Sequence, residues 1–493
     1  MKKYFFFNTE PNTNILGLDP IIRAFWSKEM LNFTGGRLSV FVYELDQGTF
    51  QAGCLKKEWL DFSDQLFQRF LDDHSFPTAI VESLTANGEK LFSYCQDIRH
   101  RQDTGMSLTE QKKAILKIFD LFTAICVPGL VAPIIEFGSG GMTKKIYEII
   151  AAKDLSNSGL SAPEALAILA TSPKKIWTDE AREALLELAV AQAAKYPDIP
   201  TDILSTYVEK WGWVYYGYCG PEYTVASVRQ ELASLITDST DIADKLFTLR
   251  QEKAELVRRQ AKLQEELHFT EEEKYILAAA QDFAYTKAYR ANLMALADHT
   301  VNKLLWPIAQ QGGYSIKQLG MCTVREMKKH LQVNEPLPSV DVLNQRLRYC
   351  LFLSEEKGES VLIGAEAKKW VEDNIEQEKV PEGLQELGGM VACAGGIKKV
   401  GGRARIVLTA ADVEKVREGE ILLSTTTIPD FVPAMRRAVA VVTETGGLTC
   451  HAAIVSREMN KPCLIGVKHL LKIFKDGDQV EVDIRQGTIR KIT

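Results

Sequence analysis

Nine cysteines are scattered through the 493 residues without one C-x-x-C pair, and seven histidines without an H-E-x-x-H. The first absence leaves an odd number of thiols with no disulfide or zinc spacing, as expected of a reduced, cytoplasmic protein. The second removes the usual sequence sign of a metal site, so no metal is expected on this chain. No G-x-x-x-x-G-K-[ST] is present; GSGG at 138–141 lacks the lysine and reads as a turn. There is no long basic run, and a net charge of −6 argues against nucleic-acid binding. No membrane anchor is expected either. The apolar start at 4–7 is too short for a signal peptide. The most apolar internal stretch, 121–135, is interrupted by Pro128-Gly129 and Pro133 and reads as a buried helix with a break. What remains is ordinary globular composition, 46% apolar and 25% charged, on a chain long enough for about three domains.

One segment stands out, TETGGLTCHAAIVSREMNKPCLIG at 443–466. Before it, 438–443 (AVAVVT) is a short β-branched run of strand type. Gly446 and Gly447 then break the strand and permit close backbone approach. Thr449 can cap a following helix at about 452–459, whose apolar faces predict burial. His451 thus falls at a helix N-terminus, where free N–H groups and the macrodipole favour an anion. An imidazole there, mostly neutral at pH 7, can serve as a nucleophile that takes and returns a phosphoryl group.

The string GGLTCHAAIVSRE, followed by KPCLIG, closely resembles the phosphohistidine swivelling domain of phosphoenolpyruvate (PEP)-utilising enzymes. That family includes phosphoenolpyruvate synthase, pyruvate phosphate dikinase and rifampicin phosphotransferase. The likeness extends over GGRARIVLTAADVEKVREGEILLSTTTIPDFVPAM, with its T-x-P-x-x-x-P loop, and over the closing DGDQVEVDIRQGTIRKI. It implies that His451 is the phosphorylated residue, that Gly446 and Gly447 form the turn exposing it, and that Thr449 and Cys450 position it. Arg457 and Glu458 match the family's helix-end pair, read equally as a phosphate contact or a salt bridge.

The expected architecture is multidomain. A mixed α/β N-terminal region (1–105) precedes a mainly α-helical acceptor or scaffold domain (106–380) and a C-terminal α/β swivelling domain (381–493), with a linker at about 375–389. YFFFN and LSVFVYEL read as strands, TFQAG and the AIVESL region as weaker strand candidates, and 56–72 as an amphipathic helix. A charged stretch at 239–267 predicts one arm of a helical hairpin. Thr270 and Glu273 form a capping box opening the next helix, expected to reach about Leu305. The aromatic run WGWVYYGYCGPEYT at 211–224 is read either as a buried turn or as an acceptor-side wall carrying Trp211, Trp213, Tyr216 and Tyr218.

A swivelling histidine must meet a donor and an acceptor. No nucleotide-binding motif is recognisable, and the chain ends 42 residues beyond His451 without a PEP-binding barrel. The resemblance therefore implies a separate ATP-grasp protein of the PEP/pyruvate-binding type, supplying Mg2+ and ATP, and a small-molecule acceptor on residues 1–380. Two alternatives stay open. The chain could be a regulatory protein whose phosphorylation controls partner binding, or PEP could itself be the donor.

Overall fold

In the computed structural model, the described residues are all except 1–3, 11–12, 47–48, 137–140, 196–198, 218–219, 221, 238–240, 356–357, 377–383, 429–430, 448–449 and 493. They form a multidomain, mixed α/β protein, 62% helical with two sheets.

The first sheet is antiparallel, in the order β1-β3-β2-β4-β5. Its strands are β1 (Tyr4–Glu10), β2 (Val40–Asp46), β3 (Thr49–Leu55), β4 (Tyr349–Glu355) and β5 (Gly358–Ile363). The hairpin β4–β5 lies in the stretch read as mainly helical and pairs with β2 from Val40↔Glu355 to Asp46↔Tyr349. One face buries aromatics: Phe7 stacks on Trp59 at 4.0 Å and Phe25 on Phe41 at 4.7 Å. Trp59 belongs to the helix Lys56–Asp72, whose buried Trp59, Phe62, Leu66 and Phe70 recur at three- and four-residue spacing.

The AIVESL segment, a weak strand candidate by composition, lies inside the helix Phe76–Thr104. Ile80, Leu84, Leu91, Cys95 and Ile98 are all fully buried there, and that spacing is helical. The helix packs with Leu108–Gly129 and with the 42-residue helix Glu271–Gly312 to form the body of the chain. The stretch Leu108–Glu136 is apolar and long enough to cross a membrane, but 72% of its most apolar window is buried inside the protein. It is a core helix, broken near Gly129 as its prolines predict. Thr270 and Glu273 form the expected capping box, with Glu273 N–H donating to Thr270 Oγ1 at 3.2 Å. The helix they open runs through Pro307 to Gly312, beyond the expected Leu305.

The second sheet has the order β6-β13-β12-β8-β9-β10-β11-β7. Its strands are β6 (Glu386–Gly388), β7 (Met390–Cys393), β8 (Lys399–Ile406), β9 (Ile421–Ser424), β10 (Ala440–Thr443), β11 (Cys463–Ile465), β12 (Gln479–Asp483) and β13 (Thr488–Lys491). Strands β8, β9, β10 and β11 run parallel. Alternate residues face opposite ways, as a pleated strand requires. Leu422, Val441, Cys463 and Ile465 join an apolar cluster continuous with the helical body, while Leu423, Val442 and Leu464 form a separate core. The sheet rests on the body through β7, which packs on the helix Ala162–Ala170. Residues 377–383 of the expected linker lie outside the described residues, as does most of the GSGG turn. The linker's start is tied to the first sheet, with Glu376 N–H donating to Tyr4 O at 2.8 Å.

Candidate active site

Strand β10 is buried along its whole length between its parallel neighbours β9 and β11. Their C-terminal ends therefore open on one edge of the sheet, the place where parallel sheets hold their ligands. The loops leaving β9 and β10 stay clamped together there. Glu444 N–H donates to Ser424 O and Thr445 N–H to Thr425 O, each at 2.9 Å. Gly446 then turns the chain at φ +124; a Cβ there would lie 2.8 Å from Cys450 Sγ, so glycine is required on both counts. Gly447 accepts from Cys450 N–H at 2.9 Å, and open space surrounds it.

The helix that follows is His451–Glu458, beginning one residue earlier than expected and with Cys450 at the cap position. Thr449 lies outside the described residues. The cap thiol is pushed up by burial, against the opposing pull of the Ala453 and Ala452 N–H groups and of the Lys287 charge. It is a neutral thiol and adds no negative charge beside the histidine. Ala452, Ala453 and Ser456 are buried beneath the helix.

His451 opens this helix, and its Nδ1 lies 2.8 Å from Thr427 Oγ1. Thr427 is 4% exposed and lies in the loop after β9. Burial pulls the His451 pKa down to about 4, so the ring is neutral at pH 7. If Nδ1–H donates to Thr427, the Nε2 lone pair is left free, which is the tautomer a nucleophile needs. Thr427 was not among the residues singled out from sequence. It is the threonine of the T-x-P-x-x-x-P loop, and that motif was its only signal.

The remaining candidates divide. Arg457 folds along its own helix, Nε donating to Ala453 O at 3.0 Å, at the end of the helix away from His451. Glu458 closes the helix, and its side chain lies outside the described residues. Trp211, Trp213 and Tyr216 are buried in the helical body, at 7%, 1% and 6% exposure. Trp213 packs edge-on to Trp177, and its Nε1 donates to Lys210 O at 2.9 Å. Tyr218 lies outside the described residues. Among the described residues no cluster of His, Cys, Asp and Glu suits a metal ion.

Residues 416–487 match the family described as PEP-utilising enzyme, mobile domain. The curated relatives agree over the same end of the chain. A probable phosphoenolpyruvate synthase of Archaeoglobus fulgidus is 43% identical over 122 residues, 25% of this chain and 16% of its own length. The phosphoenolpyruvate synthase of Pyrococcus furiosus is 46% identical over 117 residues, 24% of this chain and 14% of its own. The chain thus spans about one-sixth of the relatives it matches, and the match falls in the C-terminal region only. Its C-terminal domain is a PEP-utilising-enzyme mobile domain. Among solved structures, aconitase X of Thermococcus kodakaraensis aligns over 22% of the chain at 17% identity and a TM-score of 0.18, too low to carry an argument.

Proposed function

We propose that this chain is the carrier and acceptor part of a phosphotransferase. His451 takes a phosphoryl group from ATP held with Mg2+ by a separate ATP-grasp protein. It then delivers the group to a small molecule bound by residues 1–380. In the first step the Nε2 lone pair forms a bond to phosphorus as the bond to the nucleotide oxygen breaks. In the second, an acceptor oxygen replaces Nε2. The hydrogen bond between His451 Nδ1 and Thr427 Oγ1 carries this reading, because with Nδ1–H as the donor it leaves the outer ring nitrogen as the nucleophile. The helix N-terminus beneath the ring favours the anionic phosphoryl group. The partly buried position of the ring in the present arrangement fits a domain that closes on one site, excludes water and then swings to another. On this reading the protein works in the cytoplasm, and all eight described cysteines are free thiols.

The test is to incubate the chain with a candidate ATP-grasp partner and ATP labelled at the β or γ phosphorus. Acid-labile label should appear on the wild type and be absent from His451→Ala. The relatives named phosphoenolpyruvate synthase favour a second donor, and labelled PEP in place of ATP separates the two.

A further inference from the structure

We propose that a cavity of roughly 690 Å³ in the helical body binds a small organic anion carrying a hydroxyl group and is the acceptor site. This rests on the carrier reading above. The cavity lies between the helices Phe76–Thr104, Thr201–Trp211 and Glu271–Gly312. Its size is that of a small-molecule site, about 300–1,000 Å³.

The charge of the lining defines the ligand. Arg99, Lys210 and Lys303 come from the three helices in turn, against the carboxylates of Glu209 and Glu222, leaving one net positive charge. Among the described residues neither Lys210 nor Lys303 closes a direct ion pair, and the Lys303 charge acts on the Glu222 carboxyl across the cavity. The Lys210 ammonium lies 4.7 Å over the Trp211 ring, and Lys303 is exposed. Two ammonium groups suit a carboxylate or phosphate, beside a guanidinium that Gln96 Oε1 and Glu209 O hold in place.

The hydroxyl end is set by His299 and Glu222. His299 is buried at 3% exposure, and its Nε2 lies 3.2 Å from Glu222 Oε2. Tyr216 packs edge-on to the ring at 5.1 Å and is itself held by Asn302 Nδ2, which donates to its hydroxyl at 3.0 Å. The His299 hydrogen bond holds the Glu222 carboxyl below its usual range, and burial keeps the His299 ring neutral. His299 Nε2–H is therefore the donor, and Glu222 is an ionised, half-exposed acceptor in the cavity wall. Such a group receives a ligand hydroxyl. In the transfer, the acceptor O–P bond would form as the N–P bond to His451 breaks, with the hydroxyl proton passing to Glu222.

This site also accounts for the aromatic run at 211–224. Its tryptophans and Tyr216 stand behind the wall, while Gly212, Glu222 and Tyr223 form it. Lys287, the charge sensed by Cys450 beside the docked His451, lies twelve positions before His299 on the same helix. At 1.5 Å per residue those two helix positions are about 18 Å apart, so delivery calls for a movement of the mobile domain.

Calorimetric titration of the full chain tests the proposal, with glycerate and gluconate as probes and propionate and glycerol as controls. The hydroxy acids should bind at least about tenfold more tightly than either control, and Lys303→Ala should weaken them about tenfold. Glu222→Gln should narrow the preference for glycerate over propionate. Binding indifferent to Lys303→Ala, or no saturable binding of either hydroxy acid at millimolar concentration, overturns the proposal. Chemical loading of His451 with phosphoramidate separates the two readings. A chain that carries acid-labile phosphate yet binds no hydroxy acid sinks the cavity alone. One that binds hydroxy acids but never carries phosphate sinks the carrier reading and, with it, the acceptor role.

Discussion

Replacing Thr427 by valine keeps the shape of the loop and removes one hydroxyl. The methyl that takes its place cannot accept from His451 Nδ1, now 2.8 Å from Thr427 Oγ1. An N–H left without a partner at a buried site costs about 1–3 kcal/mol. The tautomer with the proton on Nδ1 would be disfavoured by that amount, and Nε2 would carry the proton instead. At 1.36 kcal/mol per factor of ten, phosphorylation should slow about 5- to 150-fold. Thr427→Ser keeps the hydroxyl and should recover most of the rate. Phosphoramidate is a suitable donor because it needs no partner protein, and the ring nitrogens can be followed by heteronuclear NMR in parallel. If Thr427→Val is phosphorylated as fast as the wild type with its tautomer unchanged, the positioning role of Thr427 is wrong.

Three further outcomes are expected. Gly446→Ala forces a side chain onto φ +124 and against Cys450 Sγ, and should destabilise the domain by about 1–3 kcal/mol in thermal melts. His451 titrates at about 4 rather than 6.5, so the phosphorylation rate should hold level from pH 8 to about 5 and fall below that; a fall centred near 6.5 would show a solvated ring. Asp298 is fully buried and its carboxyl is held well above its usual range by burial, neutral in the fold and ionised when unfolded. That lowers stability as pH rises above the unfolded value near 3.8, so Asp298→Asn should gain Tm on the wild type between pH 5 and pH 8.

Local signals were legible in the sequence and distant pairings were not. The helix Lys56–Asp72 and the Thr270–Glu273 capping box are written in spacings of three and four residues, and both formed as expected. The hairpin β4–β5 completes a sheet begun some three hundred residues earlier, and no periodicity reports such a pairing. AIVESL misled because its β-branched residues look like a strand over six positions, whereas the burial period that governs it runs over the whole of Phe76–Thr104. At the site, Gly446 and His451 were apparent because turn and helix start are adjacent in the chain. Thr427 reaches the same ring from twenty-four positions away, and only the parallel pairing of β9 with β10 brings it there.

The central claim is that His451 carries a phosphoryl group on Nε2. Isotope-edited NMR of the imidazole after loading with phosphoramidate, or with ATP and a donor protein, reads this directly. The account predicts phosphorus on Nε2 with a proton retained on Nδ1. Phosphorus on Nδ1, or an unmodified His451 beside label elsewhere on the chain, would contradict it.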